Sequence, residues 1–288
     1  MPHTAPSPPP LPPRPPRGTL RLPAVRDVSV NAPFTWLALG WRDMWRCGPW
    51  SLLQGLALAL FGGLLLLLAK DRFWLLAGAF SGFLVVAPVL ATSLYAMSRA
   101  LERGEPVGLG TIVKTWTRWQ YSRFAAHGGY WSLVRFGLLL SLAGTGWVLT
   151  SAALITLLAP QPVHTPADFI QHVVLARGGY LFELWLTVGA LMAAPLFASS
   201  VVSMPLLLDR RVDVLQAVLT SWQTVLRHPA TMALWASLLM GLTLLGMATL
   251  LLGLVLIVPW LGHASWHAYR ALVDASTLPE RLPPEGTA

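Results

Sequence analysis

Two histidines, His263 and His267, stand four residues apart near the end of an apolar stretch. On a helix, residues i and i+4 share a face, so both imidazoles would point the same way, as in a helical metal or haem pair. A metal site needs a third or fourth ligand. The chain has no HExxH motif, and Cys47 is its only cysteine, so there is neither a thiolate cluster nor a disulfide framework. Glu102, Asp209 and Asp213 are the candidate acids at the same depth. The ordinary alternative is a pair of polar side chains at headgroup level, hydrogen-bonded to Tyr269 or to backbone carbonyls.

Arg99 and Arg270 end equivalent apolar segments, and Arg210 follows a third. A ring of guanidiniums there would bind lipid phosphate or another anion. As plain anchors, the same arginines would complement helix C-termini. Glu183 is the one acid inside an expected span, and intramembrane ionisable residues mark transport sites. It lies about one turn from the boundary, however, where its carboxylate reaches water. No G-x-S-x-G, paired carboxylates or phosphate-cradling glycine loop is present. The residue types therefore point to binding rather than catalysis, and no cofactor is expected.

The elements that must position these groups are membrane helices. The chain is 55% hydrophobic and only 11% charged, with a mean hydropathy of +0.60. Soluble domains carry about 25% charged residues. At 1.5 Å per residue, about 20 residues cross a hydrocarbon core of ~30 Å. Six stretches meet that length: residues 50–69, 73–98, 130–158, 180–208, 231–248 and 250–271. The net charge of +8 is distributed as arginines in the loops of a membrane protein, so no nucleic-acid partner is expected.

Residues 1–32 are rich in proline and arginine and read as a disordered tail without a signal-peptide core. Residues 33–273 form the membrane domain, and 274–288 a second disordered tail. Three stripes at helical spacing precede pairs of spans: Leu37, Trp41, Met44 and Trp45; then Ile112, Trp116 and Trp119; then Val214, Val218, Trp222 and Val225. Each is expected to be an amphipathic helix on the bilayer surface. Thr165-Pro166-Ala-Asp168 signals the start of a short helix in the longest loop on the other side.

The stretch from Pro259 to Leu272 aligns without a gap on that from Pro88 to Leu101, and APLFASSVVSM from Ala194 matches APVLATSLYAM from Ala87. The expected fold is therefore all-α: six transmembrane helices as three hairpin repeats, each preceded by a cytoplasmic amphipathic helix. Pro88, Pro195 and Pro259 should bend their helices at similar depth. Basic residues crowd one side, which the positive-inside rule places in the cytoplasm together with both termini.

Three segments carry a resemblance: GFLVVAPVLATSLYAMSRALERGE (82–105), SMPLLLDRRVDVLQAVLTSWQTVLRHP (203–229) and GLVLIVPWLGHASWHAYRALV (253–273). They resemble a mainly proteobacterial family of predicted integral membrane proteins catalogued as a domain of unknown function. The resemblance implies a six-helix body in a bacterial inner membrane; the uncharged spans and tryptophan-rich surface helices point to membrane lipid, and to other membrane proteins, as partners. It carries no catalytic residue.

Overall fold

Proline sets the starts of the helices. It has no backbone N–H to leave unpaired in a first turn, and its fixed φ suits that position. Pro33 opens α1 (Ala32–Cys47), and Pro49 opens α2 (Pro49–Ala69) after a single residue, Gly48. The computed structural model describes residues 22–69, 91–121, 131–176 and 179–281. Helix α3 is described over 91–102 and is followed by α4 (Leu109–Tyr121) and α5 (Trp131–Leu158). Pro166 opens α6 (Pro166–Phe169), which runs into a π turn, Ile170–Val174. Next come α7 (Leu181–Ser200), α8 (Ser203–Asp209) and α9 (Val214–Arg227). Pro229 opens α10 (Pro229–Ala248), and α11 (Leu254–Leu272) completes the set.

Four segments are long and apolar enough to cross a membrane: Pro49–Leu68, Trp131–Leu158, Leu181–Asp209 and Pro229–Ala248. They correspond to four of the six expected spans. Of the expected span 73–98, residues 73–90, with Pro88, lie outside the described residues. The last expected span, 250–271, begins later than anticipated. Leu250 and Leu251 take positive φ, and the Thr249 side chain accepts the Gly253 N–H, so 249–253 form a turn before α11. Helix α11 is not among the four apolar segments, because Ser265, His267, Tyr269 and Arg270 occupy its second half.

The expected span 180–208 is two helices. Pro205 offers no N–H to the Val201 carbonyl, and the chain turns at 201–202. The N–H of Val202 goes instead to Ser221 Oγ of α9 at 3.2 Å. Pro195 and Pro259 lie within α7 and α11, as expected.

Both tails need correction over the part described. Ala24–Val25 (β1) pairs antiparallel with Val273–Asp274 (β2). Downstream, Arg210 and Glu280 form a β-bridge, and Arg281 N–H reaches the Asp209 carbonyl at 3.0 Å. Residues 274–281 are therefore fastened to the body by backbone hydrogen bonds that composition does not reveal. The same ribbon ties a helical hairpin together. His228 Nε2 donates to the Arg26 carbonyl beside the start of α10, and Arg26 N–H donates to the Leu272 carbonyl at the end of α11. Helix α11 thus returns to the level from which α10 departs.

Helix α11 is the hub. It buries Pro259, Leu261, His263, Ala264, Trp266, Ala268, Tyr269 and Leu272. Helix α1 crosses it where a Cβ added to Gly40 would sit 2.5 Å from Ala264 N. Helix α2 lies against it where a Cβ on Gly55 would overlap the Val255 carbonyl. Small residues permit such backbone contact in lipid.

The expected surface stripes are rotated. In α1 the buried residues are Pro33, Trp36, Leu37, Gly40, Asp43, Met44 and Cys47, whereas Trp41 and Trp45 are exposed. In α9 the buried residues are Ala217, Thr220, Ser221 and Thr224, and Trp222 is exposed. Of the α4 stripe, Ile112 is buried and Trp116 is exposed, while the side chain of Trp119 lies outside the described residues.

Candidate functional site: a buried Ser-His-Ser-Asp-His chain

Where α1, α2, α3 and α11 meet, five polar side chains form one hydrogen-bonded chain. Ser51 Oγ lies 2.7 Å from His263 Nε2, and Ser98 Oγ lies 2.7 Å from His263 Nδ1. Ser98 donates to Asp43 Oδ2 at 2.9 Å, and His267 Nε2 donates to the same oxygen at 2.8 Å. Counting hydrogens fixes the direction. Ser98 has one hydroxyl proton and spends it on Asp43, so it accepts from His263 Nδ1–H. A neutral His263 ring then takes the Ser51 hydroxyl proton at Nε2.

This is the wiring that activates a hydroxyl nucleophile: hydroxyl, imidazole, and a carboxylate acting here through a second serine. Access decides against that use. Ser51 and His263 are 0% exposed, Ser98 1% and Asp43 3%. Leu94, Met97 and Ile112 pack beside Cys47 around the same junction. A cavity of about 450 Å³ lies elsewhere, lined by Ile155, Thr156, Pro160, Gln161 and His164.

The chain instead fastens four helices by a carboxylate that must be paired because it is buried. Burial acts to raise the Asp43 carboxyl, but the hydrogen bond and charge of His267, with the Ser98 hydrogen bond, outweigh it and hold the group below its ordinary value of 3.8. The Cys47 thiol, one turn on, is pushed up to about 11, chiefly by burial. It is an inert thiol rather than a nucleophile.

The structure thus brings His263 and His267 onto one chain through Asp43, not onto a shared ion. Among the described residues, no three His, Cys, Asp or Glu side chains are grouped as metal ligands. The acids expected beside the pair are engaged elsewhere. Glu102 accepts from Arg270 at 2.7 and 3.0 Å and from Trp266 Nε1 at 3.1 Å. Asp209 accepts from Tyr269 Oη at 2.9 Å and Arg210 Nε at 3.0 Å. Asp213 caps α9 through the Gln216 N–H.

The three arginines each hold an internal partner. Arg99 donates to the Leu208 carbonyl, Arg210 binds Asp209 and Glu280, and Arg270 forms a fork on Glu102. Glu183 lies exposed in the first turn of α7, where a helix N-terminus favours an acid.

Sequence reasoning missed Ser51 and Ser98, which no motif distinguishes from other serines in apolar helices. Asp43 did leave a signal. Trp36, Gly40, Asp43 and Cys47 recur at helical spacing, which puts the acid on the same face as apolar and small residues.

A family model described as a predicted integral membrane protein (DUF2189) matches residues 75–209. Its span covers the described parts of α3 through α8. No curated protein matches the chain, and no solved structure does. The four apolar helices and this match define the class: an integral membrane protein, similar over 75–209 to a family of unknown function.

Proposed function

We propose that the chain is a non-enzymatic multi-pass protein of a bacterial inner membrane. In this reading it binds lipid or a hydrophobic solute, or assists assembly of a membrane complex. The observation that carries the reading is the contrast between sealed chemistry and open flanks. Ser51, His263 and Ser98 are at most 1% exposed. Only 22%, 17%, 44% and 22% of the four span windows are buried, which leaves long apolar faces for lipid or a partner helix.

Six crossings are favoured by parity. The β1–β2 ribbon holds both described ends together, which requires an even number of crossings. The return of α11 to the level where α10 starts supports counting it as a fifth crossing beside the four apolar segments. One more return is then needed between α2 and α4, where the 73–98 stretch is long and apolar enough. Arginine placement puts the ribbon in the cytoplasm. The three-hairpin repeat rests on the sequence alignment of the Pro88, Pro195 and Pro259 segments.

Native mass spectrometry of protein ejected directly from membranes tests this reading. It should show bound phospholipid, and partner chains if the role is assembly, without a stoichiometric metal. The second reading, a metal- or haem-binding accessory protein or enzyme, rests on the proximity of His263 and His267 through Asp43. It requires His263 to give up two hydrogen bonds. A stoichiometric metal or a Soret band that His267→Ala removes would establish it and overturn the first. A transport role for Glu183 would appear as solute flux into proteoliposomes that Glu183→Gln abolishes.

A further inference from the structure

Helix α9 is inside out. The face packed on the protein is Ala217, Thr220, Ser221 and Thr224. About 180° round the same helix, Leu215, Leu219, Trp222 and Leu226 are exposed. A helix on a water-facing surface would place these two sets the other way round.

The same spacing of exposed residues (i, i+4, i+7, i+11) occurs in α1 as Phe34, Ala38, Trp41 and Trp45. Helix α4 repeats its first three positions as Leu109, Val113 and Trp116. The third position is tryptophan in all three helices. The Trp222 indole N–H is taken by Ser199 Oγ at 2.9 Å, so what it turns outward is ring carbon.

We infer that these three stripes form a collar embedded in the anionic lipid leaflet on the ribbon side of the protein, the face it presents to lipid headgroups and upper acyl chains. Two observations choose lipid over a protein partner. The first is continuity: α1 passes into α2 through Gly48 alone, and α9 into α10 through His228 alone, so these two stripes adjoin the lipid-facing flank of a span. The second is charge. Helices α4 and α9 contain no acidic residue, and the one acid of α1, Asp43, is buried. The exposed charges beside the stripes include Arg42, Arg46 and Lys114. Tryptophan at headgroup depth with flanking cations is how an interfacial helix holds an anionic leaflet.

The inference rests on the reading that the spans cross a bilayer, and the experiment separates the two. In a Cys47→Ser background, a nitroxide is attached at Ala38→Cys, Val113→Cys or Leu219→Cys. Thr277→Cys, exposed in the segment that follows β2 and on none of the three helices, serves as control. The full chain is placed in nanodiscs containing phosphatidylglycerol. The three stripe labels should collide with oxygen severalfold more than with a water-soluble nickel chelate, and the control should show the reverse. Replacing Arg42, Arg46 and Lys114 with glutamine should lower co-purifying phosphatidylglycerol and leave zwitterionic lipid unchanged.

Stripe labels reached freely by the nickel chelate would overturn the collar while leaving the spans standing. Labels shielded from both reagents would replace lipid with a protein partner or a second copy, and would equally overturn it. Failure of the chain to enter nanodiscs would sink the membrane reading and the collar with it.

Discussion

Replacing Asp43 tests whether the buried chain fastens the bundle, and the geometry sets the size of the effect. Its Oδ2 accepts from both Ser98 and His267, at 2.9 and 2.8 Å. Hydrogen bonds to a charged group contribute about 1.5–3 kcal/mol each. Asp43→Ala removes two of them and strands the Ser98 hydroxyl, while relieving the cost of burying a carboxylate. His267 is 18% exposed and recovers some of its loss from water. Breaking a buried pair on one side costs about 3–5 kcal/mol, and this partial exposure points to the lower end.

Asp43→Asn is milder, because both donors converge on a single oxygen and an amide carbonyl can take its place. The charge assistance of the two bonds goes, about 1–1.5 kcal/mol each, and relief of the buried charge offsets part of it, for a net of about 1–1.5 kcal/mol. At about 2–4 °C per kcal/mol for a large domain, the midpoint should fall by roughly 6–12 °C for alanine and 2–6 °C for asparagine. Cys47, the sole cysteine, is 4% exposed on the same helix, so a thiol-reactive fluorogenic dye reports the opening of this junction directly.

The pH dependence has a definite sign. Asp43 is held below its ordinary value of 3.8, so the unfolded chain binds more protons in that window. Its contribution is present above that value and is lost as pH falls through the folded one. Acid lowering of the midpoint below about pH 4 should therefore be weaker in Asp43→Asn than in the parent. Equal midpoints for parent, asparagine and alanine proteins would show that the chain fastens nothing, and the reasoning would fail.

Other perturbations reach separate parts of the fold. Gly48 joins α1 to α2 at φ +60 and ψ −135, a region almost confined to glycine, so Gly48→Ala should cost about 1–3 kcal/mol in the same dye assay. Gly40→Val drives a side chain into the Ala264 backbone and should abolish the monodisperse peak in size-exclusion chromatography, whereas Ser237→Ala on exposed α10 leaves it unchanged. Asp209→Ala removes the partner of Tyr269 and Arg210 and should lower the midpoint more than Tyr269→Phe, for which about 1 kcal/mol is expected. A reporter inserted between Leu250 and Leu252 should lie across the membrane from one fused after Ala288. Reporters on the same side would show that α10 and α11 do not both cross.

The reach of sequence can be judged from particular residues. Span positions were legible because lipid imposes one rule: about 20 apolar residues with every backbone group paired internally. Residues 50–69, 130–158 and 231–248 were placed to within two residues of the helices found. The Thr165–Asp168 start was equally plain, since Thr165 accepts the Asp168 N–H and Asp168 Oδ2 accepts the Thr165 N–H, a pattern local to four residues.

What sequence missed is non-local. The stripes of α1 and α9 were read as apolar faces, yet which apolar face points inward depends on whether lipid or protein lies opposite, and hydropathy is equal for both. Likewise His263 and His267 were recognised as facing one way, but their partners come from 165 to 224 residues distant. By itself, then, the sequence determined a helical membrane chain and the positions of three of its apolar helices, which follow from transfer of single segments into lipid. Tertiary structure decided the rotation of each surface helix, the closure of 24–26 with 272–274 and of 279–281 with 209–211, and the burial of Asp43. Those depend on close packing between segments far apart in the chain, where a glycine or a serine matters only because of what stands against it.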